Sequence, residues 1–169
     1  MWTLSTQTAI YMWTAFTNPS IARIAATSQG EKTMLVQPYL SFEGRCEEAV
    51  KFYQAALGAE VQMLMRFKDS PDQSMVSPDS ADKVMHASMR IGDSTVMASD
   101  GRCTGKMAFG GVSLSLTVAD DTEAERVFAG LASGGQITMP MTKTFFASKF
   151  GMVADKFGVN WMVLAGPQG

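Results

Sequence analysis

His86 is the only histidine in the chain, and it sits in VMHASMRIGDSTVMASDG, running from Val84 to Gly101. An imidazole can ligate a metal, move a proton or make hydrogen bonds near neutral pH. Metal binding and acid/base catalysis need partner groups, so the rest of the sequence decides between these roles. The other groups with distinctive chemistry are Cys46 and Cys103, far apart and in no CxxC arrangement. They read as two reduced thiols rather than a disulfide framework. Cys46 falls in the first turn of an expected helix, where the dipole can lower a thiol pKa. No base accompanies it locally, and an inert thiol is the better reading.

Alternation in VMHASMRI places Val84, His86, Ser88 and Arg90 on one face of a strand, with Met85, Ala87, Met89 and Ile91 on the other. The second face is wholly apolar and is expected to pack against helices, leaving the His86 face partly wet. His86 is then either a pocket residue or a structural histidine capped by a neighbouring carbonyl. The 14 methionines include Met63, Met65, Met85, Met89, Met97, Met139, Met141, Met152 and Met162 in or near expected strands. Their flexible thioethers suit a forgiving apolar cleft and adaptable core packing alike.

The chain has 169 residues, 46% of them hydrophobic, enough for one compact core. Net charge is −2 and no Lys/Arg cluster occurs, so a nucleic-acid or anionic-membrane surface is not expected. No apolar run approaches the ~20 residues of a spanning helix. The first 20 residues lack a basic n-region, and Thr and Gln interrupt their apolar positions. A cytoplasmic protein that does not engage membranes is expected.

Residues 1–33 contain no acidic residue before Glu31, and no clean period persists there. Gln29, Gly30 and Glu31 can be encoded by CAAGGAGAA, which contains the ribosome-binding sequence AGGAG. Residues 1–33 are therefore read as an N-terminal extension: either a translated leader preceding a start at Met34, or a genuine arm packing on the domain or a partner. The domain proper is expected over residues 34–169.

From Met34 the chain repeats one unit. Strand-like LVQPYLSF leads into RCEEAVKFYQAALG, where Ala49, Val50, Phe52, Tyr53, Ala56 and Leu57 follow helical spacing. Glu47 and Glu48 suit the first turn and Gly58 the C-terminus. Strand AEVQMLMRF, the polar loop from Lys68 to Lys83, and strands VMHASMRI and STVMAS follow. The second half repeats this order with GVSLSLTV, a helix in DDTEAERVFAGLASGG, and strands in QITMP, ASKFGMVAD and VNWMVLA. Asp120 and Glu123 have capping-box spacing, and Ala124, Val127, Phe128 and Leu131 form the apolar stripe. Glu47, Phe52 and Gly58 match Glu123, Phe128 and Gly134 at one constant offset. The expected fold is α+β: two βαβββ modules, about residues 34–101 and 108–165.

PYLSFEGRCEEAVKFYQAALGAE, VMHASMRIGDSTVMASD and KFGMVADKFGVNWMV together resemble the PhnB-like branch of the vicinal oxygen chelate superfamily. That superfamily includes glyoxalase I, bleomycin-resistance proteins, fosfomycin-resistance enzymes and extradiol dioxygenases. The resemblance implies a curved mixed sheet, an incomplete barrel around a cleft, and a homodimer. It also implies, in metal-dependent members, four positions converging on one divalent ion that stabilises developing oxyanion charge. Carried over, three of those positions fall at Pro38, Leu114 and Met162, and only His86 matches. The expectation is no metal and no cofactor, since such an ion needs several His or Glu ligands.

Candidate ligand-pocket residues are His86, Tyr39, Ser88, Met97, Phe146 and Trp161. Phe145 and Phe146 stand where relatives commonly carry a Trp-containing segment. Trp161 sits beside the last ligand position, and Pro38 or Tyr39 lines the cleft according to which face of the first strand turns inward. The loop from Lys68 to Lys83 and the stretch TMPMTKTFFASKF could cover the cleft. The leading expectation is a metal-free protein binding an unknown small molecule. The alternatives are a glyoxalase- or dioxygenase-class enzyme using His86 as acid/base or ligand, and a dimeric interaction module with a vestigial cleft. Relatives have been named demethylubiquinone methyltransferases. No glycine-rich strand-to-helix loop of the kind nucleotide-type cofactors use occurs, and that activity is discounted.

Overall fold

A computed structural model describes residues 34–72, 76–101 and 107–166. The extension over residues 1–33 and Cys103 lie outside the described residues. The chain divides into two units, residues 1–36 and 37–169, and the elements of the described residues lie in the second.

The first module comprises β1 (Tyr39–Ser41), α1 (Cys46–Leu57), β2 (Glu60–Arg66), β3 (Val84–Ile91) and β4 (Ser94–Ser99). The second comprises β5 (Leu114–Val118), α2 (Asp121–Ala132), β6 (Gln136–Thr142), β7 (Lys149–Ala154) and β8 (Asn160–Ala165). Each forms a four-stranded mixed sheet, ordered β1-β4-β3-β2 and β5-β8-β7-β6, and the sheets do not close into a barrel. In both, the first strand runs parallel to the last and the remaining pairs are antiparallel. The expected βαβββ repeat is thus the architecture observed.

Local sequence explains the helix limits. Gly58 ends α1 at φ 68°, the left-handed conformation that glycine adopts without strain. Asp120 caps α2 by accepting from the Glu123 amide at 2.8 Å. The reciprocal half of the capping box is replaced, because the Glu123 carboxylate pairs with Arg126. The first strands are shorter than their apolar runs suggested. Pro38 has no N–H to pair, and only its carbonyl joins β4, accepting from the Met97 amide at 2.9 Å.

The face assignment of β3 needs one correction. Ala87, Met89 and Ile91 are buried as expected, but Val84 is buried with them and Met85 is only half-buried. Met65 pairs with His86 while Arg66 pairs with Val84, so Met85 is an extra residue in the ladder. This bulge reverses the alternation at the start of the strand.

Both helices lie on the buried faces of the sheets and pack on each other. Their approach is close at Gly130, where an added Cβ would come within 3.1 Å of the Ala56 Cβ and 3.2 Å of its Cα. Two buried carboxylates fasten the frame. Asp100 accepts from the Cys46 amide (2.6 Å) and the Val84 amide (2.7 Å), tying the α1 N-terminus to β3. Asp155, 3% exposed, accepts from the amides of Phe157 (2.9 Å) and Val159 (3.1 Å) and from Trp161 Nε1 (3.0 Å). Its fourth donor is the Tyr53 hydroxyl at 2.7 Å, which comes from the other module. Burial and the Asp155 charge push the Tyr53 phenol well above its ordinary pKa, so it stays protonated and donating.

A second tie lies at the surface. Glu48 of α1 bonds Arg45 and reaches Lys156 of the second module. The Lys156 ammonium lies over the Phe52 and Phe157 rings, and the Arg45 guanidinium over Phe157.

Two predictions follow from these ties. Tyr53→Phe leaves a buried carboxylate short of one donor and is expected to cost about 1.5–3 kcal/mol in urea unfolding. A loss below ~0.5 kcal/mol, the scatter of ordinary surface substitutions, would show that the buried tie contributes little. Hydrogen bonds from Arg45 and then Lys156 hold the Glu48 carboxyl down at about 2, against an ordinary 4.5. The unfolded chain therefore binds this proton first, so the contribution is complete above about pH 4.5 and is lost as pH falls towards 2. Glu48→Gln should flatten this acid limb slightly in pH-dependent melting, because the half-exposed pair is screened by solvent.

Candidate functional site

Register places the sequence-selected residues of the first module on one open face. Tyr39 pairs with Met97, Met97 with Ser88, and Ser88 with Met63, giving one row across four strands. In the next row His86 pairs with Met65. On the first strand Leu40 is buried, and Tyr39 is 49% exposed on the His86 side.

The Tyr39 hydroxyl meets His86 Nδ1 at 3.2 Å, and the two ring centroids are 5.7 Å apart. Which partner donates depends on the imidazole tautomer. His86 therefore has a side-chain partner from β1 rather than a carbonyl cap. Ser88 donates to Gln62 at 3.3 Å, and Arg90 is paired with Glu60. The face combines thioethers, one phenol and one imidazole, and its cation is already neutralised.

The open face of the second sheet is more apolar. Ser115 pairs with Met162, Met162 with Met152, and Met152 with Met139. Phe150 pairs with Leu164. Phe146 stacks edge-on against Phe150 at 5.2 Å, and Phe145 stands fully exposed beside it. Phe146 thus belongs to the second sheet, apart from the His86 row.

Trp161 is the exception among the six candidates, and its pocket assignment is corrected. It is 3% exposed and shares the buried face of β8 with Val163 and Ala165. Its indole donates to Asp155 and packs edge-on against Tyr53. Its neighbour Met162 takes the open face instead, as the period of two requires. Leu114 likewise packs against the core.

Two shallow crevices lie where the modules meet. One of about 180 Å³ is lined by Tyr39, Leu40, Phe109, Val112, Leu114 and Asn160, among others. The other, about 370 Å³, is lined by Tyr39, Ser41, Glu43, Met107, Ala108 and Phe109. Asn160 holds the intermodule linker by donating to the Phe109 carbonyl at 2.8 Å. Neither the linker nor Asn160 is singled out by any local sequence pattern. Tyr39 borders both crevices and the His86 face.

Chemistry elsewhere is limited. Cys46 is buried, and burial with the nearby Asp100 charge pushes its thiol up to about 12, away from a reactive thiolate. Among the described residues no group of three or more His, Cys, Asp or Glu side chains could hold a metal ion. The loop after β2 is tied at its flanks, where Arg66 donates to the Asp82 carbonyl and Lys68 pairs with Asp82.

Comparison with known proteins agrees with this geometry. The family model described as 3-demethylubiquinone-9 3-methyltransferase matches residues 34–164. Protein YjdN of Escherichia coli is 39% identical over 140 residues, covering 77% of this chain and 94% of its own. The crystal structure of protein PA1353 from Pseudomonas aeruginosa is 41% identical, with a TM-score of 0.71 over 79% of this chain and 98% of its own. A PhnB protein from Bacillus cereus is 28% identical, with a TM-score of 0.66 over 79% of this chain and all of its own. The fold extends to a glyoxylase/bleomycin resistance protein/dioxygenase domain from Frankia, 16% identical, with a TM-score of 0.58 over 82% of this chain and 96% of its own. The chain belongs to the family described as 3-demethylubiquinone-9 3-methyltransferase, and its fold is that of the glyoxylase/bleomycin resistance protein/dioxygenase domain.

Proposed function

We propose that this protein binds an amphipathic aromatic small molecule on its open sheet faces without a divalent metal ion. The observation that carries this reading is the Tyr39–His86 pair set in a row of half-exposed methionines. Apolar walls with a few fixed polar groups are the usual anatomy of a ligand site. Tyr39, His86 and Ser88 supply the hydrogen bonds; Met97 and, from the second sheet, Phe146 supply apolar contact. The family description names a methyl transfer, yet the strand-to-helix connections Phe42–Arg45 and Ala119–Asp120 contain only one glycine between them. A loop that cradles a nucleotide-type cofactor needs closer backbone approach than that.

The same geometry favours a homodimer. Within one chain the modules meet through their helices, and both methionine-rich faces remain outward. A second copy laying its Phe146 face over the Tyr39–His86 face would enclose a cleft that one chain leaves open. No described helix is long and apolar enough to cross a membrane.

Thermal-shift and calorimetric titration with planar aromatic amphiphiles, in the presence of a chelator, tests the binding reading. Tyr39→Phe and His86→Ala should each weaken a stabilising ligand about fivefold, as expected for a lost hydrogen bond of ~1 kcal/mol. Stoichiometric divalent metal that disappears in His86→Ala would overturn the metal-free reading. No response to aromatic ligands or metal would favour the interaction module. Sedimentation should give twice the chain mass, and Met162→Lys should shift it to the monomer; an unchanged mass would remove that face from the interface.

A further inference from the structure

The count of metal-ligand positions considers nitrogen and oxygen donors, and by that count His86 stands alone. Sulfur changes the count. Met63 and Met65 are two residues apart on β2, so both thioethers lie on the open face. Met65 is the direct cross-strand partner of His86. Met63 and Met97 flank Ser88 from either side, each one diagonal step from His86. Directly opposed Cβ atoms lie about 5 Å apart and diagonal ones about 7 Å. Methionine side chains are long, unbranched and flexible enough to span such gaps.

We propose that His86, Met65 and one or both of Met63 and Met97 form a site for a soft monovalent cation of the Cu(I) or Ag(I) type. Thioethers are soft, neutral donors that select such ions over Zn(II) or Mg(II). His86 supplies the anchoring nitrogen. Its Nδ1 is engaged by the Tyr39 hydroxyl, which leaves Nε2 as the ligating atom. When Nδ1–H donates to Tyr39, the Nε2 lone pair is free, so Tyr39 is a positioning residue that selects the competent tautomer. The site is reachable, since Met63 is 44% exposed and Met65, Met97 and His86 are half-buried. Binding is a ligand addition with no change of oxidation state. It shares His86 with the organic-ligand reading but does not depend on it.

Titration of the full chain carrying Cys103→Ser tests the site, using Ag(I) alone and Cu(I) in competition with a bathocuproine chelator. One ion per chain is expected, with no comparable binding of Zn(II), and with shifts of the Met63, Met65 and Met97 methyl resonances. His86→Gln and Met65→Leu should weaken binding by about tenfold or more, and Tyr39→Phe by about tenfold through loss of orientation. Met141→Leu, which replaces a thioether packed beneath α2, should leave affinity unchanged. Full affinity in both His86→Gln and Met65→Leu would overturn the site. So would binding that vanishes with Cys103→Ser alone, or methyl shifts confined to Met139, Met152 and Met162. A cation site that holds while aromatic ligands fail separates this inference from the organic-ligand reading.

Discussion

The frame depends on one buried carboxylate. Asp155 sits in the turn before β8, where two backbone amides and the Trp161 indole already hold it. Burying a charge costs several kcal/mol unless its hydrogen-bonding capacity is filled. The remaining donor is the Tyr53 hydroxyl, carried by the first module. Neither module satisfies this group alone in the arrangement observed, so the interface between them is specified by chemistry as well as by apolar contact. Phe42, Phe52, Tyr53, Phe157 and Trp161 pack around the tie at centroid separations of 5.5–6.4 Å. Such aromatic pairs prefer tilted and edge-on arrangements, which gives the junction a definite geometry.

Joining the modules through their helices determines what remains outside. Each sheet has one face covered by a helix, and Gly130 lets the two helices come close enough to share one core. The other face of each sheet is then left uncovered within one chain. This explains how half-exposed methionines come to line both open faces without being core residues. It also explains why Tyr39 has several roles: β1 is a short strand at the module junction, so its outward side chain borders the crevices and the histidine together.

The two open faces are related by the repeat but have diverged in chemistry. By strand register, Tyr39 corresponds to Ser115, Ser88 to Met152 and His86 to Phe150 in the repeat. Among the described residues the first face carries an imidazole and a phenol beside its thioethers, which the second face lacks. Duplication followed by such divergence leaves one polar, hydrogen-bonding wall and one greasy wall. Oxygen- and nitrogen-rich divalent coordination fits neither wall, whereas aromatic and soft-donor chemistry fits the first.

Much of this was legible before the structure. Helical spacing, the Gly58 terminus and the Asp120 cap depend on near neighbours in sequence, so α1, α2 and the repeated element order follow from local physics. Strand alternation correctly put His86 and Ser88 together, because a period of two is imposed by the pleat itself. It failed at Val84, where a bulge invisible to periodicity inserts Met85. It could not rank Trp161 against Met162, since both modules contribute to the burial that decides which face is inside. The Tyr39–His86 contact spans 47 positions and the Tyr53–Asp155 tie 102. The sequence alone therefore determined the elements and the resemblance to a family. Only tertiary pairing decided which side chains meet, because register and module docking join residues that no local pattern relates.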